Sequence, residues 1–161
     1  MVLRNLPFDA DNNPNPNLHY LLCPWLRRVL ARLEDCGMIE TLQSEINGDP
    51  SLYASVRQAQ VCHAEEHRQA KAAASAGPAG KTRIPARMET SDDVFIAGAR
   101  EPGLIKCLHA HFAYYLVHRD YSLGRRIESL ALPIECPDNR CAAYQTEEEV
   151  TDEPGEGKPA L

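Results

Sequence analysis

The chain has 161 residues, 43% of them hydrophobic and 25% charged, with a formal net charge of -6 and a pI near 5.5. That length accommodates one ordinary domain around a single core. The acidity, gathered in Glu147, Glu148, Glu149, Asp152, Glu153 and Glu156, argues against nucleic acid as a partner and leaves the tail as an arm that would dock a basic partner.

The start, residues 1–17, is dominated by Asn, Asp and Pro and reads as a flexible arm rather than a signal peptide. No apolar run reaches membrane-spanning length, so a cytoplasmic protein is expected. Leu18 to Leu22 is short, apolar and aromatic and reads as a brief strand or an extended lead-in. Pro24 suits a first helical turn, where its missing N–H costs nothing, and this places Cys23 at the N-cap. Leu26, Val29, Leu30 and Leu33 then recur on one stripe, and Gly37 is placed to end the helix. A second helix carries Met38, Ile39, Leu42 and Ile46 up to the breaker Asn47-Gly48-Asp49-Pro50. A third runs from there to about Ala74, with Leu52, Val56, Ala59 and His63 on one side and its later half reading as solvated.

Residues 75–93 read as a flexible linker inside a single helical domain spanning 18–141. Val94 to Arg100 reads as a short strand or buried loop. The turn Glu101-Pro102-Gly103 leads into a central helix with Leu104, Leu108, Phe112, Tyr115 and Leu116 on its core face. A shorter helix with Ile127, Leu130 and Leu132 is closed by Pro133. Residues 142–161 read as a disordered acidic tail. The fold class expected is mainly α, a single small helical domain with at most one or two short strands.

Six cysteines without a secretory signal point to thiol chemistry or metal binding rather than to a disulfide framework. Cys23 at a helix start, Cys107 in the central helix, and Cys136 with Cys141 flanking a Pro-Asp-Asn turn are candidate metal ligands. Thiolates are soft anionic donors suited to zinc or, second, to an iron–sulfur cluster. On a helix Cys107 and His111 share a face, with His109 pointing elsewhere, and either imidazole is a reserve ligand. The bland alternative is that these are small buried cysteines and core histidines. A second alternative is an enzyme in which Cys23, activated by the helix dipole, acts as nucleophile with His109 or His111 as proton partner. A third is an interaction module without catalysis. His63-Ala64-Glu65-Glu66-His67 matches the H-x-x-E-H pattern of inverted zinc peptidases, but its polar surroundings and the lack of a marked third ligand favour a solvated helix face.

Leu21-Leu22-Cys23-Pro24-Trp25-Leu26, Arg32-Leu33-Glu34-Asp35-Cys36-Gly37, Ile105-Lys106-Cys107-Leu108-His109-Ala110-His111-Phe112-Ala113, Asp120-Tyr121-Ser122-Leu123-Gly124 and the Cys136 to Cys141 loop resemble successive blocks of the bacterial domain of unknown function family 501. The resemblance implies a small bacterial cytosolic protein, in some genomes encoded near cell-division and polyphosphate-hydrolysis genes, and carries no activity. By position, its blocks coincide with Cys23, Cys107, His109, Cys136, Arg140 and Cys141, and His63 falls where the family tends to have an Ala-His pair. The chain departs from the pattern in lacking a cysteine-containing segment before Leu-Cys-Pro, and in Tyr121-Ser122 where Asn-Pro is more usual.

Overall fold

The computed structural model describes residues 2–8, 15–75, 93–133 and 136. Strands β1 (Val2–Arg4) and β2 (His19–Leu21) pair antiparallel, with Leu3 opposite Tyr20 and Arg4 opposite His19. Five helices follow: α1 (Pro24–Asp35), α2 (Met38–Gly48), α3 (Pro50–Ser75), α4 (Leu108–Val117) and α5 (Ser122–Ala131), with a short 3-10 turn at Ile96–Gly98 before α4. The described residues are therefore mainly α, with one two-stranded sheet among them.

Local chemistry accounts for most of the boundaries. Pro24 opens α1 with Cys23 as its N-cap residue. Gly37 takes φ 76°, a left-handed conformation that ends α1 and starts α2 at little steric cost. Before α3 the Asp49 carboxylate accepts the N–H groups of Ser51 and Leu52 at 2.8 and 3.2 Å, capping the helix that Pro50 begins.

At the centre lies α4. Leu108, Ala110, His111, Phe112, Ala113, Tyr114 and Tyr115 are all buried, and a helix with no polar face must be surrounded. It packs against β2, α1 and α5. Its start differs from the sequence expectation: α4 begins at Leu108, Cys107 is its N-cap residue, and Leu104 is 39% exposed instead of lining the core. The reason is competition from two glutamine amides. Gln43 donates to the Gly103 carbonyl at 3.1 Å and accepts the Ile105 N–H at 3.0 Å, while Gln60 donates to the Leu104 carbonyl at 3.0 Å. These bonds satisfy the backbone of residues 103–105 in a non-helical form.

The later half of α3 is also corrected. His63 is buried on the apolar side, as its spacing with Leu52, Val56 and Ala59 predicts, but Gln60, Ala64 and His67 are buried too rather than solvated. Covering them are the chain around Asn15 and the 3-10 turn, whose Ile96 N–H donates to Gln60 Oε1 at 2.6 Å. Part of the expected loose arm is thus ordered: Val2–Arg4 forms β1, and Asn17 Oδ1 accepts the Ala97 N–H at 2.7 Å. The expected strand or buried loop near Val94 is the 3-10 turn, with Ile96 buried. Leu132 lies past α5 and is 65% exposed. Residues 76–92 of the expected linker, and 137–161 with the acidic tail, lie outside the described residues.

The approach of α5 to α4 depends on Gly124, where an added Cβ would stand 2.2 Å from Tyr115 Cβ and Cγ. Gly124→Ala should therefore destabilise the fold by about 1–3 kcal/mol through overpacking. Gly48→Ala, which meets nothing within 4 Å, should be neutral or slightly stabilising. Urea denaturation midpoints of the two variants check the contrast, and equal midpoints would contradict it.

Candidate functional site

Three donors from two helices converge beside β2. Glu34 lies in the last turn of α1, Cys107 is the N-cap residue of α4, and His109 stands in its first turn. Their ligand atoms all lie within 4.8 Å of one another. His109 Nδ1 is 3.1 Å from Glu34 Oε1 and 3.8 Å from Cys107 Sγ. The same Glu34 oxygen accepts the Leu108 N–H at 2.6 Å, so a side chain from α1 caps a helix start that has no side-chain cap of its own. On the other edge of the ring, His109 Nε2–H donates to the Arg27 carbonyl at 2.9 Å, since a carbonyl can only accept. Both nitrogens thus face acceptors. Cys107 first, then the Arg27 carbonyl and Glu34, raise the imidazole pKa to about 9 against the opposing effect of burial. A cleft of about 270 Å3, bordered by Asn17, His19, Tyr20 and Arg27, opens onto Cys107 and His109.

The structure brings together only part of the set expected from sequence. Cys107 meets His109, not His111: its backbone is extended (φ -155°, ψ 120°), so the helical i, i+4 geometry does not apply to it. His111 is fully buried and hydrogen-bonds through Nδ1 to the Tyr121 hydroxyl at 2.7 Å. Cys23 is buried in the core, and among the described residues no hydrogen bond joins its thiol to His109 or His111. Neither Cys23 nor Cys136 belongs to a group of three converging donors among the described residues. Cys141 and Arg140 lie outside them.

Comparison with known proteins places the chain. A family model described as "Protein of unknown function (DUF501)" matches residues 1–129. The chain belongs to the DUF501 family. No curated protein and no solved structure matches it. The match covers the whole of the Glu34–Cys107–His109 group and every described histidine of this DUF501 member. Among the described residues, no helix is long and apolar enough to cross a membrane.

A second polar centre lies around Tyr114. The H-x-x-E-H stretch splits there. His63 Nδ1–H donates to the Val94 carbonyl at 2.9 Å and His67 Nε2–H to the Asn15 carbonyl at 2.8 Å, so both imidazoles tie loops to α3. Glu66 turns instead to His19 of β2 and His118, the C-cap residue of α4, at 4.0 and 3.1 Å. Glu34, His19 and His118 are the residues that sequence reasoning missed as candidates, whereas Glu66 was singled out only as the acid of the H-x-x-E-H stretch. For Glu34 a signal existed, because it falls inside the Arg32 to Gly37 block. His19 and His118 carry no such mark.

Burial lowers the pKa of His63 to about 4 and of His111 to about 3. In the unfolded chain each titrates near 6.5, so between the two values the unfolded state binds more protons and stability rises with pH. This contribution is complete above about pH 6.5 and is lost as pH falls toward 4. For His63 alone it should be on the order of 3 kcal/mol. Urea denaturation from pH 7 to 4 in the presence of a chelator should show the parent losing stability more steeply than His63→Gln. Parallel pH profiles for the two would contradict the assignment.

Proposed function

We propose that this DUF501 protein binds a divalent metal, zinc in the first instance, through Glu34, Cys107 and His109. The observation that carries the reading is the pairing of convergence with ring orientation. Three donor atoms of suitable type lie within 4.8 Å of one another, while His109 Nε2–H is fixed on the Arg27 carbonyl, leaving Nδ1 as the ligating nitrogen. Metal-bound histidines commonly donate their other N–H in this way, which fixes the tautomer and increases ligand basicity. One thiolate with imidazole and carboxylate donors suits zinc, whereas an iron–sulfur cluster calls for more thiolates than this group offers. Three protein ligands beside an open cleft would leave a further coordination position facing Asn17 and Arg27. Zinc in such a position supplies a Lewis acid and a bound water that ionises near neutral pH. The chain's own contribution is orientation: Glu34 is held by the Leu108 N–H and His109 by the Arg27 carbonyl, so neither ring nor carboxylate has to be ordered on binding.

A second reading rests on the same three side chains. With acceptors on both its nitrogens, His109 favours the imidazolium form, and an imidazolium 3.8 Å from Cys107 Sγ at a helix N-terminus supports a thiolate nucleophile. The thiol in question is then Cys107, in place of the Cys23 of the sequence reading. Metal binding and thiolate chemistry separate experimentally, because ligation removes protons from both groups and buries the sulfur's reactivity.

Elemental analysis of protein purified without chelator should give stoichiometric zinc dependent on Cys107. Cys107→Ser should weaken zinc affinity by more than about 100-fold and lower the thermal midpoint of the loaded protein, since ligation energy adds to folding energy. A parent protein that takes up no zinc, yet alkylates rapidly at Cys107 near neutral pH, would overturn the metal reading in favour of the thiolate one.

A further inference from the structure

We propose that His19, Glu66 and His118 form a second divalent-metal site, separate from the cysteine site, with two imidazoles and one carboxylate as its protein ligands. The three residues come from β2, α3 and the end of α4, and their ligand atoms lie within 4.8 Å of one another. Such a donor set suits a borderline ion such as zinc, and two histidines with one glutamate are a known way to hold it with a coordination position left open.

Unmet hydrogen-bonding capacity points to a missing ligand. His19 is only 7% exposed, and its Nδ1 is buried without a hydrogen-bond partner. His118 Nε2 is buried too. It stands 3.1 Å from Glu66 Oε1 but outside hydrogen-bond geometry, so the contact is one of proximity and leaves the nitrogen unsatisfied. Buried polar atoms normally find partners, and two imidazoles that share one carboxylate without a good bond to it are unusual as a structural device alone. His19 faces Glu66 through Nε2 at 4.0 Å, and a cation held by that nitrogen, the Glu66 carboxylate and His118 Nε2 would give the buried His118 nitrogen its missing partner.

The surroundings hold the ligands in place. The His118 ring stacks on Tyr114 at 4.2 Å between centroids and 24° between planes, and meets His19 edge-on at 5.6 Å. Tyr114 also makes an edge contact with His19 at 5.9 Å, so one aromatic ring positions both imidazoles. His63 and His67 are committed to the Val94 and Asn15 carbonyls and act as support on the α3 side. The site opens to a cleft of about 310 Å3 bordered by Val2, Arg4 and Val117. Arg4, opposite His19 in the sheet, puts a positive charge at that opening. An ion bound there should complete its coordination with an anion, such as hydroxide, a carboxylate or a phosphate oxygen, rather than with a neutral donor.

Cobalt(II) titration of the full-length protein tests this independently of the cysteine site, because cobalt bound to Cys107 gives a sulfur-to-metal charge-transfer band and cobalt bound to nitrogen and oxygen gives ligand-field bands alone. The parent is expected to bind two equivalents. Cys107→Ala should lose the charge-transfer band and retain one equivalent, whereas Glu66→Gln and His118→Asn should each lose one equivalent and retain the charge-transfer band. Absence of the band in the parent, with one equivalent still lost in Glu66→Gln, would count against the cysteine site alone. Unchanged stoichiometry in both Glu66→Gln and His118→Asn would overturn the second site. Should these variants fail to fold, imidazole 15N shifts in Cys107→Ala protein decide: zinc should move the His19 and His118 signals, and signals that stay in place overturn the proposal.

Discussion

The carboxylate of Glu34 meets the N-terminus of α4, and both the fold and the candidate site depend on that contact. Most of α4 is buried and it has no side-chain cap of its own, so its first N–H groups would otherwise be costly to enclose. Glu34 supplies the acceptor from α1, 2.6 Å from the Leu108 N–H, and the positive end of the helix dipole favours its charge. That oxygen is also the one facing His109 Nδ1. One atom thus anchors the central helix and organises the cysteine–histidine pair beside it. Stability and chemistry are coupled here through a single group, so a change that relocates Glu34 acts on both.

The histidines show how environment divides one residue type into two chemical kinds. His109 has an acceptor on each nitrogen and is pushed toward the charged form. His19, His63, His67 and His111 are enclosed, and burial pushes them toward the neutral form. Neutral imidazoles are ligands and acceptors, whereas a charged one is an anchor for anions and thiolates. The two centres therefore differ in kind even though both contain histidine and glutamate. His19 borders the clefts of both.

Elements governed by adjacent residues were legible in the sequence. Pro24, Gly37 and the Asp49-Pro50 pair act within a turn of their own positions, and each helix boundary they imply is where the structure has it. The start of α4 was not legible, because the bonds that keep residues 103–105 out of the helix come from Gln43 and Gln60, between 44 and 62 residues away. The same distance in sequence hid the site. Thiol counting leads to Cys107, but Glu34 is 75 residues from His109, and periodicity says nothing about which acidic residue will arrive. Helical spacing even suggests the wrong histidine: with Cys107 extended at the N-cap, its neighbour is two residues on and not four. Helical spacing sets His63 on the apolar side of α3, but burial of His67 was not legible, since the carbonyl covering it belongs to the chain around Asn15.

The clamp formed by Gln43 and Gln60 has a further consequence for how the molecule is held in one piece. The segment 2–75 and the segment 93–133 grip each other through these two amides, through Glu34, and through Trp25 Nε1–H, which donates to the Pro133 carbonyl at 3.3 Å. Ser122 N–H donates to Ser55 Oγ at 3.2 Å, and Arg126 forks onto both oxygens of Glu45. The halves are thus mated like the two parts of a split protein, by a surface of complementary hydrogen bonds and apolar packing. Peptide continuity between them brings the partners to high local concentration but does not define their register.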